Sequence, residues 1–224
     1  MSRFREDGTQ FCEPPQDLVR ASPPGEPLSA FLTMFFHARG AFPWLHDQDG
    51  RQLWWSPEPR SVLFLPELHV SRSLRRVLDS GRFRISADTA FSEVVRGCRT
   101  VREASWITDD MERVAKALHE LGHAHSVEAW SGDQLVGGIY GIAVGQLFCG
   151  YSMFHTESNA SKTALVALVR RLAAWRFPMI DCHLQSPHVR RMGSRLIPRK
   201  QFHHLVSLLV RGRRRVGSWT PFFA

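Results

Sequence analysis

The chain has 224 residues, 43% of them hydrophobic, which suits one large domain, or one domain with a smaller appendage, around a sizeable core. Its formal net charge of +8 points to an anionic partner. No apolar run approaches the roughly eighteen residues of a membrane span. "MSRFREDGTQF" lacks the apolar stretch of a signal peptide, and Cys12, Cys98, Cys149 and Cys182 stand too far apart for a disulfide framework or a CxxC site, so a reducing cytoplasm is expected.

Residues 1–27 are polar and carry "EPP" and "SPPGEP", the composition of an extended arm. A short helix is expected from Leu28 to Arg39, with Leu28, Phe31, Leu32 and Phe35 at helical spacing and Gly40 as its stop. The stretch from Ala41 to Arg60 reads as loop and hairpin around Asp49-Gly50, which closes a small N-terminal domain near residue 60. "SVLFLPE" is a strand candidate and "HVSRSLRRVLD" a helix. In "TDDMERVAKALHELG" Thr108 can cap a helix, Asp109 and Asp110 suit its dipole, and Gly122 closes it, with Met111, Val114, Leu118 and Leu121 as the core stripe.

"HSVEAW", "LVGGIYGIAV" and "LFCGYSMF" follow with short turns between them and read as an antiparallel meander. A polar loop, a helix from about Lys162 carrying Leu165, Leu168, Val169 and Leu172, and a strand "PMIDCHL" (178–184) complete an α+β pattern over 61–224. Basic clusters at "RSLRR" (Arg72, Arg75, Arg76), "RRMGSRLIPRK" (Arg190, Arg191) and "RGRRR" could contact phosphates without reading sequence; a solvated basic surface is the plainer alternative.

Three motifs invite chemistry. "HELGH" fits H-E-x-x-H, but Gly122 should end the helix before His123 can share a face with His119, and no third ligand is distinctively placed. The order helix, meander, helix, strand is that of acetyltransferases, yet "HTESNASK" holds no glycine where a CoA-binding R/Q-x-x-G-x-G/A would stand. Ser158, Asn159 or Ser161 could each simply cap a helix, although Lys162 in its first turn opposes the dipole unless an anion binds there. Asp181 and His183, two apart on a strand, would share a face, as an acid–base pair or as a solvent-facing polar pair.

"GAFPWL", "LWWSPEPR", "ASWITDDM", "LHELGHAHSVEAW", "LVGGIYG", "LFCGYSMF", "NASKTAL" and "IPRKQF" together resemble the leucyl/phenylalanyl-tRNA–protein transferases, from about Ala41 to Leu205. The resemblance implies transfer of Leu or Phe from a charged tRNA to the N-terminal Arg or Lys of a protein, by a GNAT-like (acetyltransferase-like) catalytic domain with a mainly antiparallel sheet beside a small N-terminal domain. It implies a pocket for the aminoacyl side chain from Trp44, Trp106, Ile139, Phe148, Tyr151, Ser152 and Met153. Asp181 and His183 would stand at the reacting centre, and Asn159, Ser161 and Lys162, with the basic clusters, near the 3′ end and acceptor stem of the tRNA. Neither metal nor CoA is required, and the partners are an aminoacyl-tRNA and an amine, with no membrane. The chain also departs from the family pattern: Tyr151 stands where G-E-S-M-F has its glutamate, His183 where D-x-Q has its glutamine, and "GGDL" is missing. These changes put the acceptor in question, so a paralogue that aminoacylates a small-molecule or peptide amine stands as an alternative, with an inactive tRNA-binding protein and an HExxH zinc peptidase behind it.

Overall fold

A computed structural model describes residues 2–4, 10–12, 18–23, 25–100 and 106–223; the "EPP" stretch of the arm lies outside them. The N-terminal part contains β1 (Ser2–Phe4), β2 (Gln10–Cys12), β3 (Leu18–Ala21), α1 (Ala30–His37), β4 (Phe42–His46) and β5 (Gln52–Trp55). Its five strands form one sheet in the order β1-β2-β4-β5-β3. The β4–β5 hairpin turns where expected. Gly50 takes φ +78°, and Asp47 Oδ1 accepts the backbone N–H groups of Asp49 and Arg51, both at 2.9 Å.

In α1 the buried face differs from the expected one. Phe31 and Phe35 are 74% and 36% exposed, while Thr33, Phe36 and His37 are buried. The helix turns toward the ring of Trp54, which stacks on Phe36 at 4.2 Å, so a partner from β5 chose the face that spacing alone left ambiguous.

The rest of the chain supplies β6 (Arg60–Phe64), α2 (Arg72–Asp79), β7 (Arg84–Ala87), α3 (Phe91–Thr100), α4 (Asp109–Glu120), β8 (Ala124–Ser131), β9 (Gln134–Val144), β10 (Leu147–His155), α5 (Ala160–Ala174), β11 (Met179–Asp181), α6 (Pro187–Arg191), β12 (Arg195–Ile197) and α7 (Arg199–Leu209). Seven strands form the second sheet in the order β12-β6-β11-β10-β9-β8-β7. Its neighbours pair antiparallel except β10 and β11, which run parallel because α5 carries the chain back between them.

Both faces of the meander are covered. Ile139 and Ala143 of β9 pack with α5 residues such as Leu165 and Leu168, whereas Tyr140, Ile142 and Val144 pack with α3 and α4 through Val94, Met111 and Leu118. Gly137 permits the closest of these approaches, since a Cβ there would lie 2.7 Å from Ala160 Cβ and 2.9 Å from Ser161 N. Trp219, 2% exposed, closes the α5 side: its ring stacks on His125 at 3.7 Å and lies 5.8 Å from Phe148 and 4.9 Å from Trp175. Among the described residues no helix is long and apolar enough to cross a membrane.

Helix α4 starts as expected, with Thr108 Oγ1 accepting the Met111 N–H at 3.2 Å. Leu121, expected in its core stripe, is instead its 59% exposed C-terminal cap, because Gly122 (φ +74°) turns the chain there. That turn also dismantles "HELGH" as a zinc site. His119 Nδ1 donates to the Ala124 carbonyl at 2.9 Å and its ring stacks on Phe91 at 4.1 Å, while the His123 N–H bonds back to the Leu118 carbonyl. The two histidines do not share a helical face.

Candidate functional site

β10 and β11 pair at only two positions, Phe148 with Ile180 and Cys149 with Asp181, and beyond them the strands part. Two local features force the parting. On β10 the register to β9 slips between Gly150 and Ser152, so Tyr151 is the extra residue of a bulge. After Asp181 the chain leaves the strand, and His183 takes the left-handed φ of +58°. The expected strand 178–184 therefore ends at Asp181.

A cavity of about 380 Å³ opens in this fork. Gly150 to Met153 form one wall and Cys182 to Ser186 the other. Trp44 from β4 and Trp106, stacked on each other at 5.8 Å, close it on the N-terminal side, and Ile139, Ser161 and Leu165 close it below α5. Tyr151 joins this aromatic wall, 5.7 Å from the Trp106 ring and 5.6 Å from that of His37. Of the side chains expected here, Trp44, Trp106, Ile139, Tyr151, Ser152, Met153, Ser161 and His183 line the cavity. Phe148 does not: at 1% exposure it is sealed in the core on the α5 side, beside Trp219 and behind the lining residues Ile139 and Leu165.

Asp181 lies at the base of the fork and is tied down. Arg60, 1% exposed at the start of β6, grips it with two hydrogen bonds, Nε to Oδ1 at 2.8 Å and Nη2 to Oδ2 at 2.6 Å. The His183 backbone N–H adds a third bond to Oδ1 at 3.0 Å. Burial pushes the carboxyl pKa up, but the Arg60 charge and these bonds outweigh it and hold it at about 2. Asp181 and His183 are thus neighbours by way of a tight turn rather than by strand alternation, with His183 Nε2 3.5 Å from Asp181 Oδ2.

The His183 ring stacks on Phe42 at 4.2 Å, and burial, opposed by the Asp181 charge, lowers its pKa to about 3. His37 sits 6.0 Å away ring to ring, and burial lowers it to about 4. Both imidazoles are neutral at pH 7. Arg60, His37 and Phe42 were not singled out in the sequence; only Arg60 and Phe42 lie in recognisable runs, "LWWSPEPR" and "GAFPWL".

The rim is basic. Lys162 donates to Asn159 Oδ1 at 3.3 Å, and Asn159 itself takes φ +72°, so α5 begins two residues early without a side-chain cap from Ser158, Asn159 or Ser161. His188 lines the cavity, and burial together with the Lys162 and Arg191 charges lowers its pKa. Ser161 and His155 are linked at 3.3 Å. Arg190 and Arg191 line a second cleft with Gln185 and Ser186, residues that also line the first. Arg72, Arg75 and Arg76 stand exposed on α2, away from the cavity lining.

A family model described as leucyl/phenylalanyl-tRNA protein transferase matches residues 62–207. Proteins named leucyl/phenylalanyl-tRNA–protein transferase are similar over most of the chain. That of Pseudomonas syringae pv. syringae is 47% identical over 187 residues, covering 82% of this chain and 81% of its own. That of Stutzerimonas stutzeri is 48% identical, covering 77% of each chain, and that of Azotobacter vinelandii 47% identical, covering 81% and 83%. A solved structure, L-PGS from Bacillus licheniformis, is 10% identical with a TM-score of 0.38 over 68% of this chain and 50% of that one, too loose a likeness to carry an argument.

Proposed function

The chain belongs to the leucyl/phenylalanyl-tRNA protein transferase family, and from that premise we propose how its forked cavity divides the work of transfer. The enzyme is an aminoacyl-tRNA–dependent aminoacyltransferase acting on protein N-termini. The observation that carries the assignment of roles is the cavity itself, apolar in its aromatic wall, neutral at His183 and basic at its rim.

In this reading the aminoacyl side chain enters between Trp44, Trp106, Ile139 and Met153, and the terminal adenosine stacks on the aromatic wall. Lys162, Arg190 and Arg191 neutralise the phosphates that follow it, and the α2 arginines reach the acceptor stem. The acceptor amine attacks the ester carbonyl. A C–N bond forms, the C–O bond to the ribose breaks, and one proton passes from the nitrogen to the departing 3′-oxygen. A neutral His183, whose ring lines the cavity, can carry that proton between the two atoms. Asp181 positions it: the carboxylate is already committed to Arg60, and it holds the backbone of residue 183. Most of the rate then comes from holding ester and amine together.

The parting of β10 and β11 around a bulge supports a GNAT-like architecture for residues 61–224, and the separate five-stranded sheet supports a small N-terminal domain over 1–60. The unpaired thiols of Cys149 and Cys182 suit a reducing cytoplasm.

A second reading of the acceptor rests on a specific observation. Among the described residues no Asp or Glu lines the cavity, and Tyr151 is aromatic packing there, so an inserted Arg or Lys side chain finds no counter-charge among them. A small-molecule or uncharged peptide amine fits such a wall better. The deciding experiment offers the enzyme mixed charged tRNA, an Arg-initiated peptide and an extract of small amines. Labelled peptide supports N-terminal transfer, label only in a small amine supports the second reading, and no discharge of tRNA overturns both.

A further inference from the structure

Beside the transfer cavity, three metal-binding side chains converge from three separate elements. His37 comes from the end of α1, Cys149 from β10 and His183 from the turn after β11, and their donor atoms lie within 4.8 Å of one another, all buried. We propose that His37, Cys149 and His183 form a binding site for a borderline-soft divalent metal ion of the Zn²⁺ class.

The histidines are prepared for it. His37 Nδ1 donates to the Thr33 carbonyl at 2.7 Å, which fixes the proton on Nδ1 and leaves the lone pair on Nε2. A backbone carbonyl behind the far ring nitrogen is the usual support for a metal-bound histidine, because it fixes both tautomer and ring orientation. The Nε2 atoms of His37 and His183 are buried and have no hydrogen-bond partner, a costly arrangement for two polar groups in one place. Burial keeps both rings neutral, the state a metal requires. The Cys149 thiol is buried too, and burial raises its pKa well above normal, so it is protonated until a cation displaces the proton.

Zinc bonds of about 2.0–2.1 Å to nitrogen and about 2.3 Å to sulfur require the donors to close by about 1 Å, a shift that small side-chain rotations supply. On binding, the Cys149 S–H bond gives its proton to solvent and the sulfur forms the metal bond; no electron changes place. The thiolate and the Asp181 carboxylate, whose Oδ2 is 3.5 Å from His183 Nε2, then lie against the ion, and Arg60 offsets one of these charges. His183 forms part of the cavity wall, so the ion reaches the site through the cavity, with room for a fourth ligand on that side. The donors carry a soft thiolate and two imidazoles, a set that favours Zn²⁺ over Mg²⁺ or Ca²⁺.

The test uses the full chain stripped by a chelator and titrated with Co²⁺, then Zn²⁺, with Mg²⁺ as control. The site predicts one equivalent of Co²⁺, visible bands of tetrahedral cobalt and a near-ultraviolet thiolate-to-cobalt band, all displaced by Zn²⁺. His37→Ala should weaken binding about 100-fold or more. Because that variant can disturb α1, Cys149→Ala is the second: with its far-ultraviolet circular dichroism unchanged, it should lose the thiolate band. A thiolate band that persists in Cys149→Ala, binding in both variants as tight as in the unaltered chain, or no saturable equivalent at all would overturn the site. The readout is metal binding and not aminoacyl transfer, so its failure leaves the transferase reading untouched.

Discussion

The base and the rim of the cavity treat charge in opposite ways. At the base, Arg60 and Asp181 are 1% and 2% exposed, bonded twice to each other, and surrounded by the rings of Phe42 and Phe202. At the rim, Arg190 and Arg191 are exposed beside the second cleft. A charge sealed away must bring its own partner or it will not stay ionised, whereas a charge left in water keeps its attraction for a visiting polyanion. The base is therefore a structural commitment, and the rim an offer to a ligand.

Arg60→Met tests the base hardest. It strands Asp181 in the interior and should cost about 3–5 kcal/mol in urea unfolding, while the double change Arg60→Met with Asp181→Leu should recover most of that loss. If the single and double variants are equally unstable, packing rather than charge explains the base. Next, His183→Ala should lower turnover about 100-fold while leaving tRNA affinity within a factor of two or so. Equal losses in both would make His183 part of the tRNA surface instead.

Acid sharpens the comparison on stability. His37 and His183 have folded pKa values lowered to about 4 and about 3, so below their ordinary value of 6.5 the unfolded chain takes up protons that the fold refuses. Stability should fall as pH drops through 6.5 toward 4, by on the order of 2 kcal/mol per histidine by pH 5, with Asp181 adding a further loss between 3.8 and about 2. Urea midpoints at pH 7 and pH 5 measure it, and a flat profile would refute the neutral assignment. The smallest structural effect belongs to the rim: Arg190→Ala and Arg191→Ala should each change stability by less than about 0.5 kcal/mol. Each should nonetheless flatten the salt dependence of tRNA binding by about one unit of log–log slope, measured by titration at several ionic strengths.

How much of this was legible in the sequence follows the same division between local and distant. The meander β8–β10 and the Thr108 cap depend on neighbours in the chain, and both stand where the residues placed them. The grip of Arg60 on Asp181 joins residues 121 positions apart, and no spacing rule connects them. His183 was read as a strand residue because its left-handed turn carries no glycine to announce it. The burial of His37 was missed for a related reason. An eight-residue helix offers several apolar faces, and Trp54 selected one. The aromatic cavity was mostly legible through its motifs, and Phe148 was the exception, since it stands before the bulge, where β10 and β11 are still paired, and is buried beside Trp219 instead of opening into the fork.

Trp219 has a consequence for the order of events during synthesis. The rings it packs against, His125, Phe148 and Trp175, are all made before it, and its own N–H goes back to Asp88. On the ribosome, then, the α5 side of the core is completed only late, when Trp219 emerges with Phe222 and Phe223 close behind it.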